Sequence, residues 1–184
     1  MEKIVERIET LLKGEKHPIL ISIEGGAGSG KTTLAARLSE RFGAIVHHMD
    51  DFFLPLSLRT PERLSAPGGN VHYERFRAEV IDGIFSGAPF SYGVFDCGMG
   101  EITKQKSVKP ERLHIIEGVY SAHPFFGDIY DLRIFLEISE EEQAARICAR
   151  NGEKAELFFS RWIPMENRYF EHFAVKENSD LILE

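Results

Sequence analysis

The residues with the clearest chemical meaning are Gly25, Gly26, Ala27, Gly28, Ser29, Gly30, Lys31 and Thr32, a complete G-x-x-x-x-G-K-[ST] run. The glycines let successive backbone N–H groups converge on phosphate oxygens, and a helix starting at the loop adds its positive end. Lys31 is spaced to reach β- and γ-phosphates, and the Thr32 hydroxyl to ligate Mg²⁺, with Thr33 beside them. The flanks match this chemistry. Ile19-Leu20-Ile21-Ser22-Ile23 reads as a buried strand, and Thr33 to Phe42 reads as a helix with Leu34, Leu38 and Phe42 on one stripe. Strand, glycine loop and helix together predict binding of a nucleoside triphosphate, with ATP and Mg²⁺ as the expected cofactors.

Carboxylates follow at chemically useful places. Ala44 to Met49 reads as a strand that runs into Asp50-Asp51. Carboxyl ends of strands line the ligand crevice of an open α/β sheet. One of the two aspartates can accept a proton from a substrate hydroxyl while the other contacts metal-bound water or fixes a neighbour. The chemistry alone leaves that assignment open between them. A third acid, Glu117, ends the apolar run Arg112 to Ile116 and suits the metal region opposite Thr32. Farther on, Arg146 and Arg150 share one helix face and can close over a transferring phosphoryl group, a role Arg161 can share. Arg150 has the stronger catalytic case; Arg146 suits an ion pair with Glu142. Candidate acceptor contacts are Asp51, Phe53, Tyr73, Tyr92, Asp96 and His123.

These groups need a scaffold, and the pattern supplies one. An amphipathic helix is expected over 3–13, ended by Gly14, and another from Tyr73 to Gly87. The stretch 52–73 has no clean period, and Pro89 to Pro110 reads as a hairpin or substrate-covering flap. Asp131 to Leu136 is a further strand. Ser139-Glu140-Glu141-Glu142 is an N-cap with a capping box, opening a helix through Arg150, and Asn151-Gly152 forms a lid hinge. Pro164 is expected to interrupt or kink the aromatic segment 154–173, and 180–183 makes a last short strand.

The chain of 184 residues suits one domain over 1–184, with an insert at about 54–110 and a lid at about 140–162. Its net charge of −7 argues against nucleic acid or an anionic membrane as the main partner. Cys97 and Cys148 form no C-x-x-C pair, and His47-His48 lacks the further ligand spacing of a zinc site. No signal peptide or spanning segment is legible, so a cytoplasmic location is expected.

Gly25–Thr32, Met49-Asp50-Asp51-Phe52-Phe53, Ile115-Ile116-Glu117-Gly118 and the later arginine helix together resemble the uridine kinase and nicotinamide riboside kinase branch of the P-loop kinases. The resemblance covers most of residues 19–183. It implies an α/β P-loop NTPase fold with a five-stranded parallel sheet, helices on both faces and a helical lid. It implies transfer of the γ-phosphoryl group of ATP to a small hydroxyl acceptor, with uridine or cytidine as the first expectation. Other acceptors weighed are nicotinamide riboside, pantothenate or a sugar. A different class is an ATPase or GTPase switch, or a nucleotide sensor, acting on a protein. By the same resemblance Asp50 is the proton acceptor, near the metal, Asp51 is accessory, Glu117 lies near Mg²⁺, and Phe95-Asp96 resembles a substrate-side Tyr-Asp pair.

Overall fold

The computed structural model describes residues 1–184. Strands β1 (Ile19–Gly25), β2 (Ile45–His48), β5 (Leu113–Glu117), β6 (Leu132–Leu136) and β7 (Leu181–Leu183) form one sheet in the order β2-β5-β1-β6-β7. Every pairing in it is parallel. A central parallel strand is buried on both faces and therefore carries apolar residues almost continuously. β1 is buried over its whole length, and Ile19, Leu20, Ile21 and Ile23 supply its apolar residues.

Alternation along the strands sorts the core into two layers. Ile19, Ile21, Ile23, Leu113, Ile115, Leu132 and Ile134 pack with Ile4 and Ile8 of α1 (Glu2–Lys13) and Leu34, Ala35 and Leu38 of α2 (Lys31–Phe42). On the opposite face Leu20, Ile116 and Phe135 meet an aromatic layer that includes Phe52, Phe76, Tyr92, Phe126 and Tyr169. Each fully buried Ile or Leu contributes about 1.5–3 kcal/mol. The same alternation turns Glu24 of β1 toward the aromatic layer, a charged residue at a core position.

The connection after β2 is more ordered than its composition suggests. It holds 3₁₀ turns at Met49–Phe52 and Leu56–Leu58 and a short helix, α3 (Pro61–Ser65). Thr60 caps α3 by accepting a hydrogen bond from the Arg63 N–H, and Pro61 stands in its first turn. The expected helix after Tyr73 is α4 (Tyr73–Phe76), a π turn (Arg77–Ile81) and α5 (Asp82–Ser86), closed by Gly87 at φ +66°. β3 (Phe90–Asp96) and β4 (Glu101–Val108) form a separate antiparallel hairpin.

α6 (Glu140–Asn151) starts at the Ser139 cap, whose hydroxyl accepts from the Glu142 N–H. Beyond Gly152 come a 3₁₀ turn (Gly152–Lys154), α7 (Ala155–Leu157), a π turn (Phe158–Trp162) and α8 (Ile163–His172). Pro164 was expected to interrupt or kink this segment. It sits in the first turn of α8, directly after the π turn, so the regular α pattern is interrupted next to it while the backbone stays helical. The wider turn absorbs the residue that lacks an N–H.

Candidate active site

The carboxyl ends of β1, β2 and β5 deliver the phosphate loop, the Asp50-Asp51 pair and Glu117 to one edge of the sheet. In the loop, Gly30 adopts φ +97° as the N-cap of α2. A Cβ on Gly25, at φ +140°, would lie 2.4 Å from the Leu136 carbonyl oxygen. Only glycine fits these two places. Lys31 is buried, and its ammonium donates to the carbonyls of Gly25 (2.7 Å) and Gly26 (2.9 Å).

Glu117 joins two partners. It accepts from the Thr32 hydroxyl at 3.2 and 3.3 Å, and its Oε1 lies 2.5 Å from His48 Nδ1. That carboxylate raises the His48 pKa against the opposing effect of burial. Two hard oxygen donors, Thr32 Oγ1 and Glu117, thus face one point. This set fits Mg²⁺, which takes one or two protein oxygens and completes its shell with phosphate and water. His48 is a site residue that sequence reading weighed only for zinc; its place at the end of β2, two residues before Asp50, was the available signal.

Asp50 is exposed to solvent at the mouth of this crevice. Partial removal from water by the crevice walls pushes its pKa up; Lys31 and His48 oppose the rise, and Glu117 and Asp51 add to it. Asp51 is less exposed and its pKa is also raised, mainly by burial. The Tyr92 ring is buried with its hydroxyl toward Asp51, without closing a hydrogen bond of normal geometry. Arg75 ties this corner down, donating to the carbonyls of Asp51 and Gly93 at 2.7 Å each, with its guanidinium 4.0 Å from the Phe52 ring centre. Phe53 forms a β-bridge with Val71, which brings the loop 70–72 against the aspartates.

Other candidates have firm local partners. The Asp96 Oδ1 accepts from the N–H groups of Gly98 (2.8 Å) and Met99 (3.0 Å), so one carboxylate oxygen shapes the hairpin turn. His123 is buried between aromatic rings, 4.3 Å from Tyr73 and 6.0 Å from Tyr169 by ring centres, and its Nδ1 accepts from Phe125 N–H. Burial lowers its pKa to about 4. The Tyr73 hydroxyl accepts from Arg63, which also binds Glu74 and the carbonyls of Gly69 and Val71. Arg63 is therefore a clamp on the loop that carries Asn70.

α6 touches the phosphate loop directly. Gln143 Nε2 donates to the Ala27 carbonyl and Arg146 Nη1 to the Gly28 carbonyl, both at 2.9 Å. Arg146 also pairs with Glu142. Arg150 instead lies 5.7 Å from the Phe158 ring centre, and Arg161 lies 4.7 Å from that of Trp162. Of the three arginines, Arg146 is the one bonded to the loop. Two buried acids complete the surroundings, and neither was singled out from sequence. Glu24 accepts from the N–H groups of Gly25, Tyr120 and Ala122 and from the Tyr169 hydroxyl. Glu166 accepts from the Ala27 N–H at 2.9 Å. Tyr120 holds φ +78°, a strained geometry for a non-glycine residue, and Glu24 receives its N–H.

No helix is long and apolar enough to cross a membrane. No family model matches the chain. A uridine kinase of Chlamydia pneumoniae is 26% identical over 180 residues, covering 90% of this chain and 81% of that protein. A uridine kinase of Clostridium perfringens (strain 13 / Type A) is 23% identical over 186 residues, covering 91% and 88%. A possible uridine kinase from Bacillus stearothermophilus superposes with a TM-score of 0.72 at 19% identity, covering 99% of this chain and 100% of that one. A putative fructose transport system kinase from Silicibacter sp. TM1040 gives 0.72 at 23% identity, covering 99% and 98%. These superpositions match the fold: a parallel sheet flanked by helices with further helical elements. The chain is a P-loop kinase of the uridine kinase/phosphoribulokinase-like superfamily.

Proposed function

We propose that this protein transfers the γ-phosphoryl group of ATP to a hydroxyl of a small, nucleoside-like acceptor, with uridine and cytidine first in line. The observation that carries the reading is the convergence of Lys31, the Thr32–Glu117 pair and Asp50 at adjacent strand ends. The loop amides and Lys31 hold the phosphates. Thr32 and Glu117 would hold Mg²⁺, which when bound would neutralise charge on the phosphate oxygens.

Asp50 accepts the proton of the acceptor hydroxyl. The acceptor's hydroxyl oxygen forms the new bond to the γ-phosphorus as the bond to the bridging oxygen breaks, and ADP leaves. Asp51, with Tyr92 and Phe53 beside it, borders the acceptor side, and the loop at Tyr73 and His123 supports it. Asp96, at the hairpin tip, retains one carboxylate oxygen outside its turn for the acceptor. Arg146 and Arg150 belong to the lid, which excludes water from a reaction that hydrolysis would otherwise drain.

Uridine heads the acceptors because two curated relatives bear that name over most of this chain. Relatives of the same fold are named for fructose transport and D-glycerate. The test is ADP production from MgATP with uridine, cytidine, nicotinamide riboside, pantothenate, fructose or D-glycerate, each product confirmed by mass spectrometry. The expected result is strong stimulation by uridine or cytidine. Stimulation by another alcohol alone would move the acceptor and keep the kinase. Equal ADP release with and without every acceptor would sink the transferase reading in favour of an ATPase.

A further inference from the structure

One acid of α8 stands where a phosphoryl group has business. Glu166, on α8, is buried and places Oε2 2.9 Å from the Ala27 N–H of the phosphate loop. Ala27 is held on its carbonyl side by Gln143, whose amide donates to that oxygen at 2.9 Å. A Cβ built on Gly26 would lie 2.8 Å from Gln143 Nε2 and 3.8 Å from Glu166 Oε2, so α6 and α8 both close on this part of the loop. Three residues along α8, the Tyr169 hydroxyl donates to Glu24, which in turn accepts from Gly25 N–H.

The location along the loop matters. The N-terminus of α2, at Gly30 to Thr32, is the end that serves the phosphates shared by ATP and ADP. Ala27 lies at the other end, next to Gly25 and Gly26, whose carbonyls hold the Lys31 ammonium. Burial raises the Glu166 pKa; the Ala27 N–H, Lys31 and Arg150 favour its ionised form, and Asp50 opposes it. Lys31 and Asp50 are the two groups that flank the transferring phosphoryl in the proposed reaction. In its ionised form, a carboxylate bonded to Ala27 N–H and acted on by both groups shares its surroundings with a γ-phosphoryl and repels it.

We infer that Glu166 is a specificity-determining residue that competes with the γ-phosphoryl group for the Ala27 end of the loop, and so weakens ATP relative to ADP. The inference rests on the kinase reading above. ADP, with no γ-phosphoryl, leaves the Glu166–Ala27 contact in place. ATP displaces the carboxylate, and with it the contact between α8 and the loop. Glu166 thereby sets how strongly the enzyme distinguishes triphosphate from diphosphate.

The full chain is titrated calorimetrically with a non-hydrolysable ATP analogue and with ADP, each with Mg²⁺, in the native protein, E166Q and E166A. Glutamine keeps an oxygen for the Ala27 N–H while removing the charge, so a purely structural role leaves both affinities in place. The competition predicts that both variants bind the ATP analogue about ten-fold tighter or more, with ADP unchanged within about two-fold. Unchanged analogue affinity in E166Q, or an equal loss for both nucleotides in E166A, overturns the inference. Failure of the native protein to bind ADP at all overturns the kinase reading itself, which separates the two failures.

Discussion

Glu24 should make the stability of this protein fall as pH rises toward neutrality. It is 1% exposed, and burial pushes its pKa from 4.5 up to about 7. The rise is held in check by donors: the N–H groups of Ala122 at 3.0 Å and of Gly25 and Tyr120 at 3.2 Å, and the Tyr169 hydroxyl at 3.1 Å. Lys31 pulls in the same direction. Between pH 4.5 and 7 the folded protein keeps a proton that the unfolded chain has released. The stabilisation is therefore complete below the unfolded value and is lost as pH passes through the folded one. An interval of that width, at 1.36 kcal/mol per pH unit, amounts to about 3 kcal/mol.

Other groups titrate too. Asp50, Asp51 and Glu166 are shifted upward and act in the same direction, whereas His47, His114 and His123 are shifted downward and oppose them. The comparison must therefore be with Glu24→Gln, which stays neutral at every pH and cancels the rest. Urea unfolding of both proteins between about pH 4.5 and 8 should show the native protein losing about 3 kcal/mol relative to the variant. A difference between them that does not move with pH would refute the reasoning. It would mean that the donors around Glu24 keep it ionised throughout, with burial contributing little.

Two further perturbations test other parts of the structure. Asp50→Asn should leave the affinity for an ATP analogue within about three-fold while lowering kcat by about 10²- to 10⁴-fold, the range of general-base catalysis; calorimetry and steady-state rates read the two separately, and an unchanged kcat removes Asp50 from the base role. Gly69→Ala should destabilise the fold by about 3 kcal/mol or more, because its Cβ would stand 1.7 Å from the Arg63 carbonyl oxygen and 3.0 Å from that of Ala66. Both neighbours are backbone and cannot swing away. A variant that melts with the native protein would show that the loop 63–70 moves freely.

Much of the framework was legible because it is written in local patterns. The apolar run before Gly25, the glycine spacing, the stripe Leu34–Leu38–Phe42 and the Ser139 cap each act within one turn or one strand, and each element formed where it was expected. α3 also had a local signal, Thr60-Pro61-Glu62, which a reading of 52–73 as aperiodic passed over. Pro164 marked a change in helix type, but the form of that change, a π turn beside Phe158, Phe159 and Ile163 packed on Ala27 and Ile147, carries no local signal.

Sequence alone was enough for the class of chemistry: a phosphate loop, acids at two strand ends, and a helix bearing arginines. Only the tertiary structure decided which groups meet. Glu166 lies 139 positions from Ala27, Tyr169 lies 145 from Glu24, and His48 lies 69 from Glu117. Arg146 rather than Arg150 reaches the loop, and Arg63 turns inward to hold Glu74 and the Gly69 and Val71 carbonyls. Such pairs carry no local periodicity. They exist because strand order sets neighbouring β-ends side by side and because α8 packs against the loop at Ala27, where a buried donor or carboxylate must find a partner from whatever segment the fold brings within reach.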